Sequence, residues 1–400
     1  MALAGSLDAD SFLDEYWQKR PLRLPAGCPS GMPELSPDEL GWLATLDDVE
    51  SRLVFTESTR RGSSYRVSHG PFSSRDLERL PPENWTLLVH DVDKHLPEFR
   101  AWFGLCDFIP DWRVDDLMIS FAAPGGGVGP HTDNYDVFLV QGRGARVWRC
   151  AERGSVRPAK LKGQLALLEP FEDPEPFTAA GGDVLYLPPG VPHWGTATDA
   201  CTTYSIGFRA PTLHDLAMTL GRLVGEPGSH DAAGEEGLFY ADPDLRAAEA
   251  RPGIISVAAV LRAASLLGRV ASRSLLDVGR ALGIVVTTTK EWLTPDAMEQ
   301  KLAASLGSAV IAGAPARVHG MARIAHCCIE GEYRVFANGQ ERAASASEAA
   351  LVVELCQHRE IRLPAPGLRT MSGGEMAELL TWLASVGAIE PVGPDFDSEP

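Results

Sequence analysis

The residues best suited to chemistry lie in the stretch "PGGGVGPHTDNYDVF", Pro124 to Phe138, where a run of glycines leads into His131-Thr132-Asp133. Such a loop either cradles a phosphate or presents metal ligands. Phosphate binding requires the glycines to open a helix, whose free N–H groups and dipole face the anion. The residues that follow, "NYDVFLVQG", are strand-like and carry neither GK[ST] nor GxGxxG, which disfavours the phosphate reading. The glycines instead allow a tight turn at the mouth of a site that bulkier side chains would block.

A metal site makes a stronger demand, a third ligand elsewhere in the chain. In a strand, residues two apart share a face, so His131 and Asp133 are expected to point inward with Tyr135 below them. Sixty-two residues after His131, "GGDVLYLPPGVPHW" reads as a strand, a Pro-Gly turn and His193, from which an antiparallel strand returns to the same mouth. Two histidines and one carboxylate on one side of a metal form the facial triad of non-haem Fe(II) oxygenases, leaving open positions for a chelating cosubstrate and O2. Cosubstrates such as 2-oxoglutarate also need a buried cation for the distal carboxylate. Arg146, fifteen residues after His131 in "GARVWRC", is the candidate. Asp116, Met118 and Ser120 in "DDLMISF" share one strand face and offer a carboxylate, a soft apolar wall and a hydroxyl, a lining suited to a long cationic side chain. Taken singly, each residue has a plainer use: a surface turn, a strand cap, an exposed arginine, ordinary core. Their joint spacing and parity favour the metal site.

These residues need a scaffold, and the composition supplies one. The chain has 400 residues, is 44% hydrophobic and 8% aromatic, and is long enough for two or three domains. Up to about Pro211, short β-prone runs ("SRLVF", "WTLLVHDVD", "DLMISFAAP", "DVFLVQG", "ARVWRC", "GDVLYLPPG", "TTYSIGF") separated by Gly, Pro and Asp predict an antiparallel jelly-roll. From Thr212 to about Leu282 apolar residues recur at helical spacing, interrupted by an acidic, Gly-rich segment over 225–237. Beyond Gly283, expected helices at "PDAMEQKLAASL", "ASEAALVVELCQH" and "GGEMAELLTWLASVGAIE" alternate with strand-like "RIAHCCIEGEYRVFANG", a small α+β unit. The division expected is therefore 1–211, 212–282 and 283–400.

Charge and cysteine content narrow the function. The net charge of −18 argues against general nucleic-acid binding and for a basic partner. Residues 281 to 400 hold nine Lys/Arg against fifteen Asp/Glu, a net of −6, with no basic recognition helix, so direct DNA binding is not expected there. Seven scattered cysteines without a CxxC pair read as buried thiols. No apolar run reaches the roughly 20 residues of a membrane span, and the first residues lack a basic then apolar leader, so the expected location is the cytoplasm. Apolar Ile254, Ile255, Val257, Val260, Leu261, Leu266 and Leu267 suit either a dimer interface or an internal core.

Four segments carry a family resemblance: "FLDEYWQKRP", "DLMISFAAPGGGVGPHTDNYDVFLVQGRGARVWR", "GDVLYLPPGVPHWG" and "TTYSIGFRAP". With them the chain resembles the bacterial JmjC-type ribosomal oxygenases, which hydroxylate an arginine of ribosomal protein L16 in the large subunit. The resemblance implies a double-stranded β-helix of the cupin or JmjC kind, a helical dimerisation region that makes a homodimer, and a C-terminal winged-helix-like domain. It also implies Fe(II), 2-oxoglutarate and O2, with His131, Asp133 and His193 as metal ligands and Arg146 and Ser120 holding the cosubstrate. Asp116, Met118 and Tyr135 fall where the family lines its substrate arginine. Related enzymes that hydroxylate histidine commonly carry Lys at the position of Arg146. Two other classes remain: a cupin isomerase or cofactor-independent dioxygenase, which would not need Arg146 in the pocket, and a non-catalytic cupin regulator, which would usually lack one of the ligands.

Overall fold

The computed structural model describes residues 2–3, 7–59, 62–159, 166–173, 175–225, 238–268, 274–363 and 371–392. The acidic Gly-rich segment read from the sequence lies almost wholly outside them. The chain forms two compact units, one of residues 1–107, 114–209 and 243–247, the other of residues 108–113, 210–242 and 248–400.

In the first unit, Asp8 accepts from the Ser11 N–H and so starts helix α1 (Ala9–Glu15), and a Ser36–Glu39 capping box with Pro37 starts α2 (Pro37–Leu43). Apart from a two-residue pairing of Ala2–Leu3 with Leu7–Asp8, the strands are β1 (Leu22–Leu24), β2 (Ser51–Thr59), β3 (Gly62–His69), β4 (Trp85–Val89), β5 (Val114–Ala122), β6 (Val137–Gln141), β7 (Arg146–Cys150), β8 (Phe177–Ala179), β9 (Val184–Leu187), β10 (His193–Ala197) and β11 (Cys201–Phe208). Eight of them make one sheet in the order β1-β9-β6-β11-β5-β4-β2-β3, and three make a second sheet, β8-β7-β10, every pairing being antiparallel. This is the jelly-roll expected from the punctuated β-prone runs.

The register of the large sheet decides which side chains line the interior. On β5, β11 and β6, directly opposed residues form three rows: Asp116–Gly207–Val137, Met118–Ser205–Leu139 and Ser120–Thr203–Gln141. The alternate residues point the other way. Phe138, Tyr186 and Phe208 pack there against Phe12 of α1 and Trp17, with Phe12 and Tyr186 ring centroids 4.9 Å apart and Trp17 edge-on to Phe208 at 5.4 Å. The "FLDEYWQKRP" segment thus covers the outer face of the sheet. Tyr186 also donates to Asp136 (2.6 Å) and accepts from the Gln18 N–H (2.8 Å), so this aromatic layer has a satisfied polar end.

In the second unit, a Thr212–Asp215 capping box begins α3 (Leu213–Val224), followed by β12 (Ile254–Ile255), α4 (Val257–Leu267) and α5 (Leu275–Thr287). Leu216, Leu220, Val260, Leu267 and Leu282 from these helices form a core with Trp112, Tyr240 and Phe336. The remaining elements are α6 (Gln300–Ile311), β13 (Ala316–Val318), β14 (Ile324–Ile329), β15 (Glu332–Ala337), β16 (Gln340–Ala344), α7 (Ala346–His358), β17 (Glu360–Ile361), α8 (Gly373–Ser385) and β18 (Ile389–Pro391), with a second core around Leu351, Leu355, Leu379 and Leu383. The helix expected from Pro295 starts only at Gln300: Met298 N–H is directed to the Ala384 carbonyl of α8 (3.4 Å), which holds the preceding backbone extended. Cys106, Cys201 and Cys327 are buried, the other four cysteines half-buried, and all seven are free thiols.

Candidate metal centre and its mouth

His131, Asp133 and His193 offer ligand atoms that all lie within 4.8 Å of one another. Only His193 sits where strand geometry was expected, at the first position of β10 after the Pro188-Pro189-Gly190 turn. His131 and Asp133 do not share a strand face, because regular pairing begins only at Val137; Asn134 and Tyr135 form a bend. His131 is instead held by an isolated bridge, its N–H bonding the His193 carbonyl (3.0 Å) and its carbonyl accepting from the His193 N–H (2.9 Å). Asp133 is fixed from the other side, its carbonyl accepting from the Gly190 N–H at 2.7 Å. Gly190 has φ +76°, the left-handed conformation that glycine takes without strain.

The donor chemistry fits a divalent transition metal. His131 Nδ1 lies 2.9 Å from the Gly129 carbonyl and His193 Nδ1 lies 3.0 Å from the Val191 carbonyl. A carbonyl can only accept, so each Nδ1 carries the proton and each Nε2 presents a lone pair, the orientation that metal-binding histidines commonly take. The two Nε2 atoms face different oxygens of Asp133, at 3.9 Å for His131 and 3.5 Å for His193. Cis ligands bonded at about 2.1 Å lie about 3 Å apart, so small side-chain rotations close the set on an ion. Burial, and next the neighbouring His131, push the His193 imidazole down to about 4, against the pull of Asp133. The ring is therefore neutral and able to ligate at physiological pH.

Arg146, the expected cosubstrate anchor, is only 4% exposed. On β7 it is flanked by alanines on both neighbouring strands, Ala179 of β8 and Ala197 of β10. Its Nη2 lies 3.9 Å from Cys201 Sγ, its guanidinium lies 5.6 Å from the Trp148 ring centre, and its buried Nε has no hydrogen-bond partner. Burying a cation without a carboxylate is costly, so this arrangement points to an anion that completes it. Trp148, two residues along the same strand face, bridges the two ends of the site: its ring packs where a Cβ on Gly195 would sit (2.6 Å) and lies 6.1 Å from the His193 ring. Ser120 is buried in the row with Thr203, whose Oγ1 is likewise unpartnered, one strand step from Cys201 on β11.

At the other end of the rows, Asp116 is buried and its Oδ2 accepts from the Asp91 N–H (3.2 Å) and faces His90 Nδ1 (3.5 Å). Met118 is half-buried. Tyr135 is 42% exposed, with its hydroxyl donating to Asp133. Although the residue as a whole is exposed, burial of the hydroxyl itself, then the charges of Asp133, Asp116 and Asp115, push the Tyr135 phenol above its ordinary value. The mouth is therefore strongly negative, although Asp115 is paired with Arg209 at 2.8 Å. His90, Trp148 and Gly207 escaped the reading of the sequence. Period two from Arg146 points to Trp148, but nothing in "WTLLVH" signals that His90 meets Asp116.

The JmjC-domain family model matches residues 104–216, which span the three metal-ligand candidates, Arg146 and the strands that carry them. The chain is 41% identical over 242 residues to the ribosomal protein uL16 3-hydroxylase of Escherichia coli K12, an alignment covering 60% of this chain and 61% of that protein. It is 35% identical over 248 residues to a probable ribosomal oxygenase of Haemophilus influenzae, covering 60% of this chain and 55% of the relative. Against the solved structure of Escherichia coli YcfD, described as a ribosomal oxygenase, the TM-score is 0.68 at 30% identity, with 98% of this chain and 100% of that one covered. A structure of the same protein with cobalt and 2-oxoglutarate matches at TM-score 0.68 and 30% identity, covering 97% of this chain and 99% of that one. With 98% of its length matched to that fold and its candidate site residues in the JmjC-matched region, the chain belongs to the JmjC-domain ribosomal oxygenases.

Proposed function

We propose that this chain is an Fe(II)- and 2-oxoglutarate-dependent dioxygenase that hydroxylates Cβ of an arginine in ribosomal protein L16. The observation that carries the reading is the pairing, in one barrel, of a His–Asp–His donor cluster with a buried guanidinium whose Nε is unpartnered. The cobalt and 2-oxoglutarate bound by the Escherichia coli relative support the same cofactor class.

His131, Asp133 and His193 would hold the iron, their Nδ1 bonds to backbone carbonyls keeping both Nε2 lone pairs turned toward it. Arg146 would bind the distal carboxylate of the cosubstrate through its planar fork, and Ser120 would add a hydroxyl. When bound, iron, 2-oxoglutarate and O2 together supply the oxidising power, cosubstrate decarboxylation driving insertion of one oxygen atom into a C–H bond. The chain's own residues bind and orient. Asp116 offers a fixed carboxylate to the target guanidinium, Met118 and Tyr135 flank its stem, and Trp148 helps to exclude water between the two ends of the site.

The negative mouth favours a basic target, in keeping with the ribosomal protein named for the Escherichia coli relative. A ribosomal target implies work in the cytoplasm; no helix among the described residues is long and apolar enough to cross a membrane. Val257 and Leu261, about half exposed on one side of α4, suit a homodimer contact through the 212–282 region, and the acidic 283–400 region suits protein rather than DNA contact.

Mass spectrometry of L16 peptides incubated with the enzyme, Fe(II), ascorbate and 2-oxoglutarate tests the proposal. A gain of one oxygen on an arginine, absent in His131→Ala, is the expected result. A gain on histidine instead would move the chain to the histidine-hydroxylating group, and no gain on any ribosomal peptide would overturn the substrate.

A further inference from the structure

Gly207 is out of place in its strand. The rest of its strand, Cys201 to Ile206 and Phe208, is mostly β-branched or aromatic, whereas a glycine inside a strand weakens it. Its φ lies outside the left-handed region, so the backbone does not demand glycine. A glycine in such a position marks a bulge or a close approach by something else; the ladder does shift register between Gly207 and Phe208, and the side chains around Gly207 crowd it as well.

The surroundings define that approach. Gly207 sits directly between Asp116 of β5 and Val137 of β6. A Cβ at Gly207 would lie 3.2 Å from Asp116 Oδ1 and 4.0 Å from Tyr135 Cε2. The other Asp116 oxygen is committed to the Asp91 N–H and faces His90, and the Tyr135 hydroxyl is committed to Asp133. What remains at Gly207 is bare backbone with one uncommitted Asp116 oxygen and the Cε2 edge of the Tyr135 ring beside it, and these would form the two sides of a narrow slot.

We propose that Gly207 is the specificity-determining residue that makes this mouth prefer arginine to lysine. A guanidinium is flat: it can lie on the bare floor with an N–H edge toward Asp116 Oδ1 while meeting the Tyr135 ring. An ammonium is a compact point charge that gains nothing from a flat slot and needs only the carboxylate. A methyl group on the floor displaces Asp116 Oδ1 by a few tenths of an ångström and takes up the thickness the guanidinium requires, penalising arginine more than lysine.

The inference deepens the proposed reaction and rests on it for the identity of the target, so its test reads binding as well as turnover. Two L16 peptides identical except for Arg or Lys at the target position are titrated calorimetrically into wild type, Gly207→Ala and Gly207→Ser, and each is assayed for oxygen incorporation. Wild type is expected to bind the arginine peptide at least tenfold more tightly, and both variants to lose about tenfold of that preference. Serine serves as the second variant because its hydroxyl can bond Asp116 and so limit any cost to folding. The affinity ratio is insensitive to partial misfolding, which weakens both peptides alike. A wild type without preference, or variants that keep it, would overturn the proposal. A Gly207-dependent preference without oxygen incorporation would leave the specificity standing and remove the reaction.

Discussion

His131 and His193 exchange both of their backbone hydrogen bonds, at 3.0 and 2.9 Å, so two candidate metal ligands from distant parts of the sequence are clasped by main chain. Main-chain pairing is by itself enough to set the two residues side by side. His131→Ala and Asp133→Ala should therefore fold with melting temperatures within about 3 °C of wild type, since most of the packing is untouched. Both should lose metal, with bound Fe(II) or Co(II) falling below about a tenth of an equivalent by elemental analysis. A large loss of stability without metal would show that the side chains, and not the clasp, hold the site.

Arg146 is a buried cation that the protein alone does not satisfy. Replacing it with an apolar residue of similar length should leave the cofactor-free protein unchanged or more stable, because an unpaired buried charge is costly and even buried ion pairs can be exchanged for packed apolar groups at no loss. Arg146→Met should melt at or above wild type without 2-oxoglutarate, and the stabilisation that added cosubstrate gives wild type should vanish. Arg146→Lys keeps the charge without the fork and should bind 2-oxoglutarate at least tenfold more weakly. Equal losses of metal and cosubstrate would contradict this division of labour.

The His–Asp–His cluster was legible in the sequence because three residue types at fixed spacing constrain each other, and the cupin scaffold was legible because Gly, Pro and Asp punctuate the strands. The reason given for His131 and Asp133 was nevertheless wrong in detail. They converge through a bridge and a bend, not through the shared face of a strand. Period-two reasoning did hold where the strands are regular, on β5, whose Asp116, Met118 and Ser120 fall in successive rows of the register. His90 and Gly207 were not legible because their meaning depends on which strand lies alongside, which local pattern does not encode.

Asp116 accepts from one N–H and faces His90 across 3.5 Å, making His90 a positioning residue for the mouth. A hydrogen bond to a charged group contributes about 1.5–3 kcal/mol, so Asp116→Asn should lower kcat/KM for an arginine peptide about 10- to 100-fold. His90→Ala should act more weakly and through KM, because the Asp91 N–H still orients the carboxylate. An effect of His90→Ala confined to kcat would point to a different role.

His326 on β14 is buried at 7% exposure, and neither ring nitrogen has a hydrogen-bond partner. Burial, and then Arg251, push its imidazole down to about 4. Since an unfolded histidine titrates near 6.5, both states are neutral above that pH; as pH falls the unfolded state takes the proton first, and stability is lost down to about pH 4. By pH 5 the loss is on the order of 2 kcal/mol. His326→Leu should show a smaller drop in melting temperature between pH 7 and pH 5 than wild type, by about 5 °C. An unchanged drop would place the acid sensitivity elsewhere.

The three rows across β5, β11 and β6 also act as a ruler. Each row is two residues from the next, so Asp116 and Ser120 are separated by roughly 14 Å along β5 at the ordinary rise of a strand. A one-residue slip would turn the entire lining outward, and a two-residue slip would set Asp116 against Ser205 and misplace the mouth relative to the Ser120 end. The irregularity between Gly207 and Phe208 sits at the mouth end of this scale and marks its zero. Pairing of main-chain atoms, fixed before any ligand arrives, thereby sets how far a side chain must reach, and excludes residues too short to span the distance.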